Sequence, residues 1–376
     1  IEGENLGVEV SVKVINSHIS KYVVVGGMLM GDEGDFDELM LDPVDMTTGA
    51  FLQELNTISL NGGNAVSFDL YYNSMLAEYR GEAGYGWSHD YEQWIEDHGN
   101  TIALHLSPYR EANFINEEAA GNISYGTVKD DTILLDGQTA YTGIYHPVGG
   151  GMEGWKIEKN GQGYIVTAAN KSLYTFDEDG RLTRLEDTDG RAVRITYQDN
   201  FMKIVDEITK EYLLVSYDED GFIQTVSDHT DRTVTLTHNG GNLTSITGLT
   251  GNTSVYAYDA FHHMINATNS EGITYVRNTY DEEGRISTQE ETGKAGVTRM
   301  SYEDTEEGGV RIKITDVTGA DMFVYTNAKG DKIKTVDVNG ATTEYLYDSK
   351  GNLLDEIDSY GNTVMYQYDE KNRLIR

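Results

Sequence analysis

Polar and apolar positions alternate through the second half of this chain. Thr343, Tyr345 and Tyr347 share one face of the segment that carries them, and a two-residue period is that of a half-buried strand, not of a helix. Near the N terminus Val8, Val10, Val12 and Val14 alternate in the same way. An Asp-x-x-Gly step breaks the alternation at 177–180, 218–221, 281–284 and 348–351. Asp can bond its own turn and Gly can take positive φ, so the step predicts a tight hairpin reversal. A second glycine follows ten residues later in several places (Gly180 and Gly190, Gly241 and Gly251, Gly330 and Gly340, Gly351 and Gly361), which leaves room for one strand of roughly five to seven residues. Helix signals are sparse: a turn or two is expected only at 74–82 and 90–97.

Two strands and their turns make a unit, and the unit recurs. An aromatic or its stand-in returns at Phe176, Tyr197, Tyr217, His238, Tyr258, Tyr280, Tyr302, Tyr325, Tyr347 and Tyr368, in steps of 20 to 23 residues. A fixed period of this length marks a repeat architecture. Its clearest phrase, Tyr345-Leu346-Tyr347-Asp348-Ser349-Lys350-Gly351-Asn352-Leu353, comes back as Tyr366-Gln367-Tyr368-Asp369-Glu370-Lys371-Asn372-Arg373-Leu374. Asn372 fits the glycine position because Asn tolerates the left-handed region. In Gly330-Asp331-Lys332-Ile333 the apolar residue arrives one place later than in Gly351-Asn352-Leu353, which predicts a bulge there. A lone hairpin cannot bury its apolar face, whereas stacked hairpins form one continuous twisting sheet. The expected fold class is all-β: a repeat architecture of stacked antiparallel β-hairpins forming a spiralling sheet.

Three segments are expected. Residues 1–40 read as an N-terminal β-strand segment with an acidic loop. Residues 41–150 form a β-rich module that lacks the repeat and holds all three prolines, Pro43, Pro108 and Pro147. Residues 151–376 carry the repeats, faintly at first with Trp155 and Tyr164. No Pro- or Ser-rich linker separates the modules, so they are expected to pack together. The chain stops inside a repeat, six residues after Glu370; a sheet ending there leaves an unpaired edge, so a longer parent protein is expected.

Composition narrows the function. With 376 residues, 38% hydrophobic and 10% aromatic, the chain can build cores and is not disordered. Twenty-six tyrosines against nine phenylalanines suit a sheet with one wet face or a wet lumen, where a ring packs while its hydroxyl finds a partner. A formal charge of −35, from 28 basic and 63 acidic residues, repels phosphate backbones, so no nucleic-acid partner is expected. Plain solubility is the ordinary explanation of such acidity. The absence of cysteine excludes disulfides and thiol chemistry. The longest apolar run, Tyr22-Val23-Val24-Val25-Gly26-Gly27-Met28-Leu29-Met30, is far short of the roughly 20 residues that span a bilayer. Neither a signal peptide nor membrane insertion is expected of this chain.

No catalytic, cofactor or metal residue is expected either. The acidic turns invite a calcium-loop reading, but a frame on Gly180 puts Thr175 at the first ligand position, and one on Gly221 puts Ser216 and Ser227 at both ends. Turn chemistry is the better account. His262 and His263, read as neighbours on a strand, point to opposite faces and do not share a metal. Ser88-His89-Asp90 holds the residue types of a triad, yet catalytic groups converge from separated positions. With 63 acids, accidental carboxylate pairs are common and none singles out glycoside hydrolysis. Trp87, Trp94 and Trp155 fit a core better than a sugar platform.

The phrase Tyr-x-Tyr-Asp-x-x-Gly-x-Leu resembles the YD repeat of the Rhs family, the bacterial polymorphic toxins and wall-associated proteins whose distant animal relatives are the teneurins. The segment before it resembles the one that precedes Rhs repeats, on Asp42-Pro43-Val44-Asp45-Met46-Thr47-Thr48-Gly49-Ala50-Phe51, then Leu70-Tyr71-Tyr72-Asn73-Ser74, then Gly84-Tyr85-Gly86-Trp87-Ser88-His89. The resemblance covers 42–376 and implies part of a hollow, cocoon-like shell of a secreted or cell-surface bacterial protein. Such a shell encloses and helps deliver a C-terminal toxin or other polypeptide cargo. The family's C-terminal core motif, where many members cleave themselves, and any variable C-terminal domain are missing, so self-cleavage does not carry over. On this reading the repeat aromatics with Gly180, Gly221, Gly284 and Gly351 carry the architecture, and Asp42, Pro43, Gly49, Tyr72, Asn73, Gly86, Trp87 and His89 mark the pre-repeat motif. The alternative is an adhesion or carbohydrate-binding module that takes a cell-wall or surface glycan as partner. A glycoside hydrolase is the remote third.

Overall fold

The computed structural model describes residues 24–25, 28–29, 44–60, 66–117, 143–148, 152, 154–293, 295–348, 351–369 and 374–376. Most of 1–40, with Asp42 and Pro43, lies outside the described residues. The chain divides into two compact units, one within Gln93–Gly190 and one formed by His18–Glu92 with Arg191–Arg376. Both are all-β, and every strand ladder among the described residues is antiparallel.

The first unit is a meander in which each strand pairs with the next: Trp94–Asp97, Thr101–Ser107, Arg110–Asn116, Gly143–Pro147, Lys156–Asn160, Gly163–Thr167, Leu173–Phe176 and Leu182–Glu186. Ile102, Leu104, Phe114, Tyr145, Ile157, Val166, Phe176 and Leu182 are fully buried, and within each strand they alternate with more exposed residues, as the period requires. An isolated bridge joins Trp94 to Arg181, and the Ile95 N–H donates to the Gly180 carbonyl at 2.9 Å. The sequence predicts a helical turn at 90–97; the structure instead gives a turn followed by the strand Trp94–Asp97. That strand is fixed by its ladder to Thr101–Ser107, a tertiary constraint that local propensity does not carry.

Among the described residues of the second unit, seventeen strands follow in sequential antiparallel order, from Ala192–Gln198 to Thr363–Met365. Their turns show why the Asp-x-x-Gly step recurs. Asp218 Oδ1 accepts the N–H groups of Asp220 (3.0 Å) and Phe222 (2.9 Å), while the Gly221 N–H donates to the Asp218 carbonyl at 3.1 Å. The ladder register shifts between Ser216 and Tyr217. This is a type I turn closed by a left-handed residue and a bulge. Asp177, Asp281 and Asp348 likewise accept the main-chain N–H four residues on, and Asn327 and Thr305 stand in for Asp in that role. At the Asp259 turn His262 takes the left-handed place, with φ 69°.

The bulge expected near Lys332 is present, as Tyr325 pairs with Lys334 and Thr326 with Lys332. Most other repeats also have one, a pair earlier: Leu346 pairs with Asp355 and Tyr347 with Leu353. The expected turn at 74–82 is a short 3-10 turn, Ser74–Leu76, capped by the Asn73 side chain. The three-stranded sheet of Leu52–Ser59, Ser67–Asn73 and Trp87–His89 belongs to this unit, with the small hairpin Arg80–Gly81 and Gly84–Tyr85. Phe51, Phe68, Leu70, Tyr72 and Trp87 are at most 1% exposed.

Candidate functional site

The repeat tyrosines do one job with their rings and another with their hydroxyls. In four of them the ring is partly buried on the sheet and the hydroxyl reaches back to a main-chain carbonyl of the preceding hairpin. Tyr258 donates to Leu243 (2.8 Å), Tyr280 to Met264 (2.7 Å), Tyr302 to Ile286 (2.8 Å) and Tyr347 to Lys332 (2.8 Å). Burial pushes all four phenols above their ordinary pKa, so they remain protonated donors. The result is a line of stitches from repeat to repeat, independent of the strand ladder.

At two other repeat positions the side chain turns instead to residues 49–92. Tyr217 donates to Glu82 Oε2 at 2.8 Å. His238, standing where its neighbours have Tyr, bonds the Ala83 carbonyl through Nε2 at 3.0 Å. A carbonyl only accepts, so that nitrogen carries the proton.

Residues 49–92 thereby form a clasp across the hairpin turns at Asp218, Gly241, Asp259 and Asp281. Arg80 donates to the Asp220 carbonyl (2.6 Å), and the Ile223 N–H donates to the Glu82 carbonyl (2.8 Å). The Tyr85 N–H donates to Gly241 (3.0 Å), and the Tyr85 ring stacks on His262 at 3.8 Å. The Tyr72 hydroxyl donates to the His262 carbonyl (3.1 Å) and accepts the Met264 N–H (2.8 Å). Trp87 Nε1 donates to the Tyr258 hydroxyl at 2.9 Å. Ser74 Oγ donates to the Gly284 carbonyl (2.9 Å) and accepts the Phe51 N–H (2.9 Å). Finally the Ile286 N–H donates to the Gly49 carbonyl at 2.8 Å.

Gly49 shows why this approach needs a glycine. Its φ is +75°, and an added Cβ would lie 2.2 Å from the Tyr302 hydroxyl oxygen. Gly86 plays the matching part inside the clasp, since a Cβ there would meet the Tyr72 ring at 2.6 Å.

Behind the clasp strands lies a buried titratable cluster. The Tyr91 N–H donates to His89 Nδ1 (3.2 Å), leaving Nε2 to face Glu82 Oε2 at 3.2 Å. The Asp69 N–H and the Tyr71 hydroxyl donate to the two oxygens of Asp90, each at 2.8 Å. Tyr79 donates to Glu92 at 2.7 Å. Burial, reinforced by the Asp69 charge, pushes Asp90 up to about 7. Burial also raises Glu92, and it raises Asp69 against hydrogen bonds from Ser67 and Thr57. Burial opposes ionisation of Glu82 too, but the hydrogen bond and charge of His89 and the Tyr217 hydroxyl outweigh it, so that carboxyl sits low.

Of the residues singled out by sequence, Gly49, Tyr72 and Trp87 touch the repeats directly, while Asn73, Gly86 and His89 build the clasp. Phe176 and Gly180 serve the first unit. Tyr197, Tyr325 and Tyr368 are half-buried at their repeat positions, and Gly221, Gly284 and Gly351 occupy left-handed turn positions. Sequence reading missed Glu82 and Asp69, which match no repeat; Ser74 and Tyr85 stood in the pre-repeat phrases and Asp90 beside His89 without a role assigned to them. One signal was visible for His238: it interrupts a run of tyrosines. His262 and His263 do not lie along a strand as expected; they sit at a turn, where His262 stacks on Tyr85 and His263 on Tyr280 with Nδ1 3.0 Å from Asp259. Trp94 and Trp155, in the first unit, stack on His105 and Tyr174.

Residues 41–114 match the family described as "Domain of unknown function (DUF6531)". No curated protein matches the chain. Among solved structures it is similar to the TcdB2-TccC3-Cdc42 complex, at 12% identity over 84% of this chain and 22% of that one, TM-score 0.29. It is also similar to TcdB2-TccC3 without its hypervariable C-terminal region, at 13% identity over 84% and 21%, TM-score 0.30. The Photorhabdus luminescens Tc holotoxin pore matches at 10% identity over 87% and 23%, TM-score 0.24. The chain spans about a fifth of the length of the solved chains it matches.

Proposed function

We propose that this chain is part of a non-enzymatic encapsulating shell of an Rhs-like secreted or cell-surface protein, and that the shell encloses a C-terminal polypeptide cargo. The observation that carries this reading is the clasp. A segment placed before the repeats bonds to the hairpin turns at Asp218, Gly241, Asp259 and Asp281, while buried tyrosine hydroxyls stitch each of several repeats to the one before. Both devices resist separation of hairpins, which is what a wall must do and what a loop-displaying adhesin does not require. The YD-like phrase, and the match over 41–114 that includes the whole clasp segment, support the same reading.

The chemistry of the cluster fits structure better than catalysis. Glu82, Asp90 and Glu92 each accept from a tyrosine hydroxyl. The glycan alternative loses its largest platform, because Trp87 is fully buried. The test is limited proteolysis of the full-length parent protein. Its C-terminal region should resist trypsin while the wall is intact and become labile in a G49A variant. Digestion of that region at the same rate as the isolated segment would refute encapsulation.

A further inference from the structure

The clasp meets the repeats at one kind of backbone position. Ile223, Met264 and Ile286 each open the strand that follows a hairpin turn. Their N–H groups donate to the Glu82 carbonyl, the Tyr72 hydroxyl and the Gly49 carbonyl, each at 2.8 Å. The carbonyls of Met264 and Ile286 accept the stitches from Tyr280 and Tyr302. In a strand the N–H and C=O of one residue point to the same side, so stitch and clasp share a seat, with the tyrosine on the oxygen and the clasp group on the nitrogen.

The row of seats continues beyond the clasp. Val310 opens the next such strand, and there the buried Thr326 fills both places. Its Oγ1 accepts the Val310 N–H at 3.0 Å and donates to the Val310 carbonyl at 3.4 Å. That seat leaves nothing for a clasp group to bond. At Lys332, which opens Lys332–Val336, the stitch returns, since Tyr347 donates to its carbonyl at 2.8 Å. Its N–H points the same way as that carbonyl, and among the described residues no clasp group meets it. Beside it lies a groove of about 440 Å³ lined by Glu307, Ala328, Lys329, Ile333, Tyr345 and Tyr347.

We propose that this groove is the docking site of residues 36–41 of the same chain, Phe36-Asp37-Glu38-Leu39-Met40-Leu41, which carry the clasp past Thr326 onto the Lys332 seat. The clasp takes its seats in reverse order: Glu82, Tyr72 and Gly49 meet Ile223, Met264 and Ile286, so the chain before Gly49 is next in line. Val44 bridges Phe51, which places the exit of that chain beside the Ile286 seat. Lys332 lies two hairpins further on, about 19 Å at four strand spacings of about 4.8 Å. About six extended residues cover that distance, and counting back from Val44 they end at residue 38. Leu39 and Met40 offer apolar side chains to Ile333 and the two tyrosine rings. Lys329 and Lys332, the latter over the Tyr345 ring at 4.4 Å, offer cations to Asp37 and Glu38. The turn acids Asp331 and Asp348 are already held by the Asn327 and Asn352 side chains. The inference concerns this chain alone and does not depend on what the sheet encloses.

The experiment uses the absence of cysteine. In the whole chain, each of Asp37, Glu38, Leu39, Met40 and Leu41 is replaced singly by Cys together with A328C, and the pair is oxidised with oxidised glutathione. Docking predicts a disulfide within one chain for at least one pair. It predicts none when the same series is paired with T318C, which is equally exposed but sits at the other end of the strand Asp321–Thr326. As a second readout, L39S/M40S should speed hydrogen exchange of the Lys332 amide severalfold, up to about tenfold for the loss of one hydrogen bond, and leave the Ile286 amide unchanged. Disulfides between two copies would assign the groove to a second copy and overturn the proposal. So would the absence of any disulfide with A328C, or equal Lys332 exchange in the wild type and L39S/M40S.

Discussion

The Tyr217 hydroxyl donates to Glu82 Oε2 at 2.8 Å, across 135 residues of sequence. In Tyr258, Tyr280, Tyr302 and Tyr347 the equivalent hydroxyl bonds a carbonyl only 15 or 16 residues back. One repeat position therefore serves two kinds of joint, hairpin to hairpin and hairpin to clasp. Burial drives the Tyr217 phenol well above its ordinary pKa, with the Glu82 charge adding to it, so the donor persists at any pH at which the protein folds. A bond to a charged acceptor is worth about 1.5–3 kcal/mol. Y217F should lower the melting temperature measurably; an unchanged value would show that the joint is slack.

The stitches between hairpins are neutral and should each count for less. Y280F removes a donor to Met264 and costs about 1 kcal/mol. Y280A also removes the packed ring and costs about 3–5 kcal/mol. Denaturant titration of both variants separates stitch from ring, and equal losses would deny the hydroxyl its part.

Glycine positions divide by what surrounds them. A Cβ at Gly221 meets nothing within 4 Å, so G221A carries only the left-handed backbone cost of about 1 kcal/mol. At Gly49 the Tyr302 hydroxyl stands in the way, and overpacking adds about 1–3 kcal/mol. Thermal unfolding should rank G49A well below G221A. The reverse order would mean that the clasp does not seat on Tyr302.

His262 occupies a left-handed position that other repeats give to glycine, and in exchange its ring stacks on Tyr85. A double-mutant cycle of H262A and Y85A should show coupling of about 0.5–1.5 kcal/mol. Strict additivity would mean that the stack is incidental.

At acid pH a different group governs. Burial works against the ionised Asp228, but hydrogen bonds from the Thr230 and Arg232 side chains and main chain hold its pKa to about 2. A carboxyl lowered on folding stabilises above its ordinary value of about 3.9 and loses that contribution as pH falls through the folded value. D228N should flatten the fall in stability between pH 4 and pH 2. A slope equal to the wild type would place the acid lability elsewhere.

How much of this was legible in the sequence depends on the range of the interaction. The Asp218 turn was legible because all its partners lie within four residues, and the strands followed from their two-residue period. The clasp was not. Ser74 and Gly284 are 210 residues apart, and nothing in the phrase Tyr72-Asn73-Ser74 names its acceptor. His262 and His263 were misplaced because the turn's left-handed residue is normally glycine, and a histidine there reads as a strand residue. Asp69 was invisible among 63 acids, and Asp90 was noticed only beside Ser88 and His89, since burial, not identity, makes both unusual.

The most direct test of the shell is a low-resolution envelope, by electron microscopy or solution scattering, of this chain beside one extended through the C terminus of its parent gene. The account predicts an open curved sheet for the first and a closed hollow particle, with its C-terminal region shielded from protease, for the second. A compact, filled body that the extension leaves unchanged would contradict it.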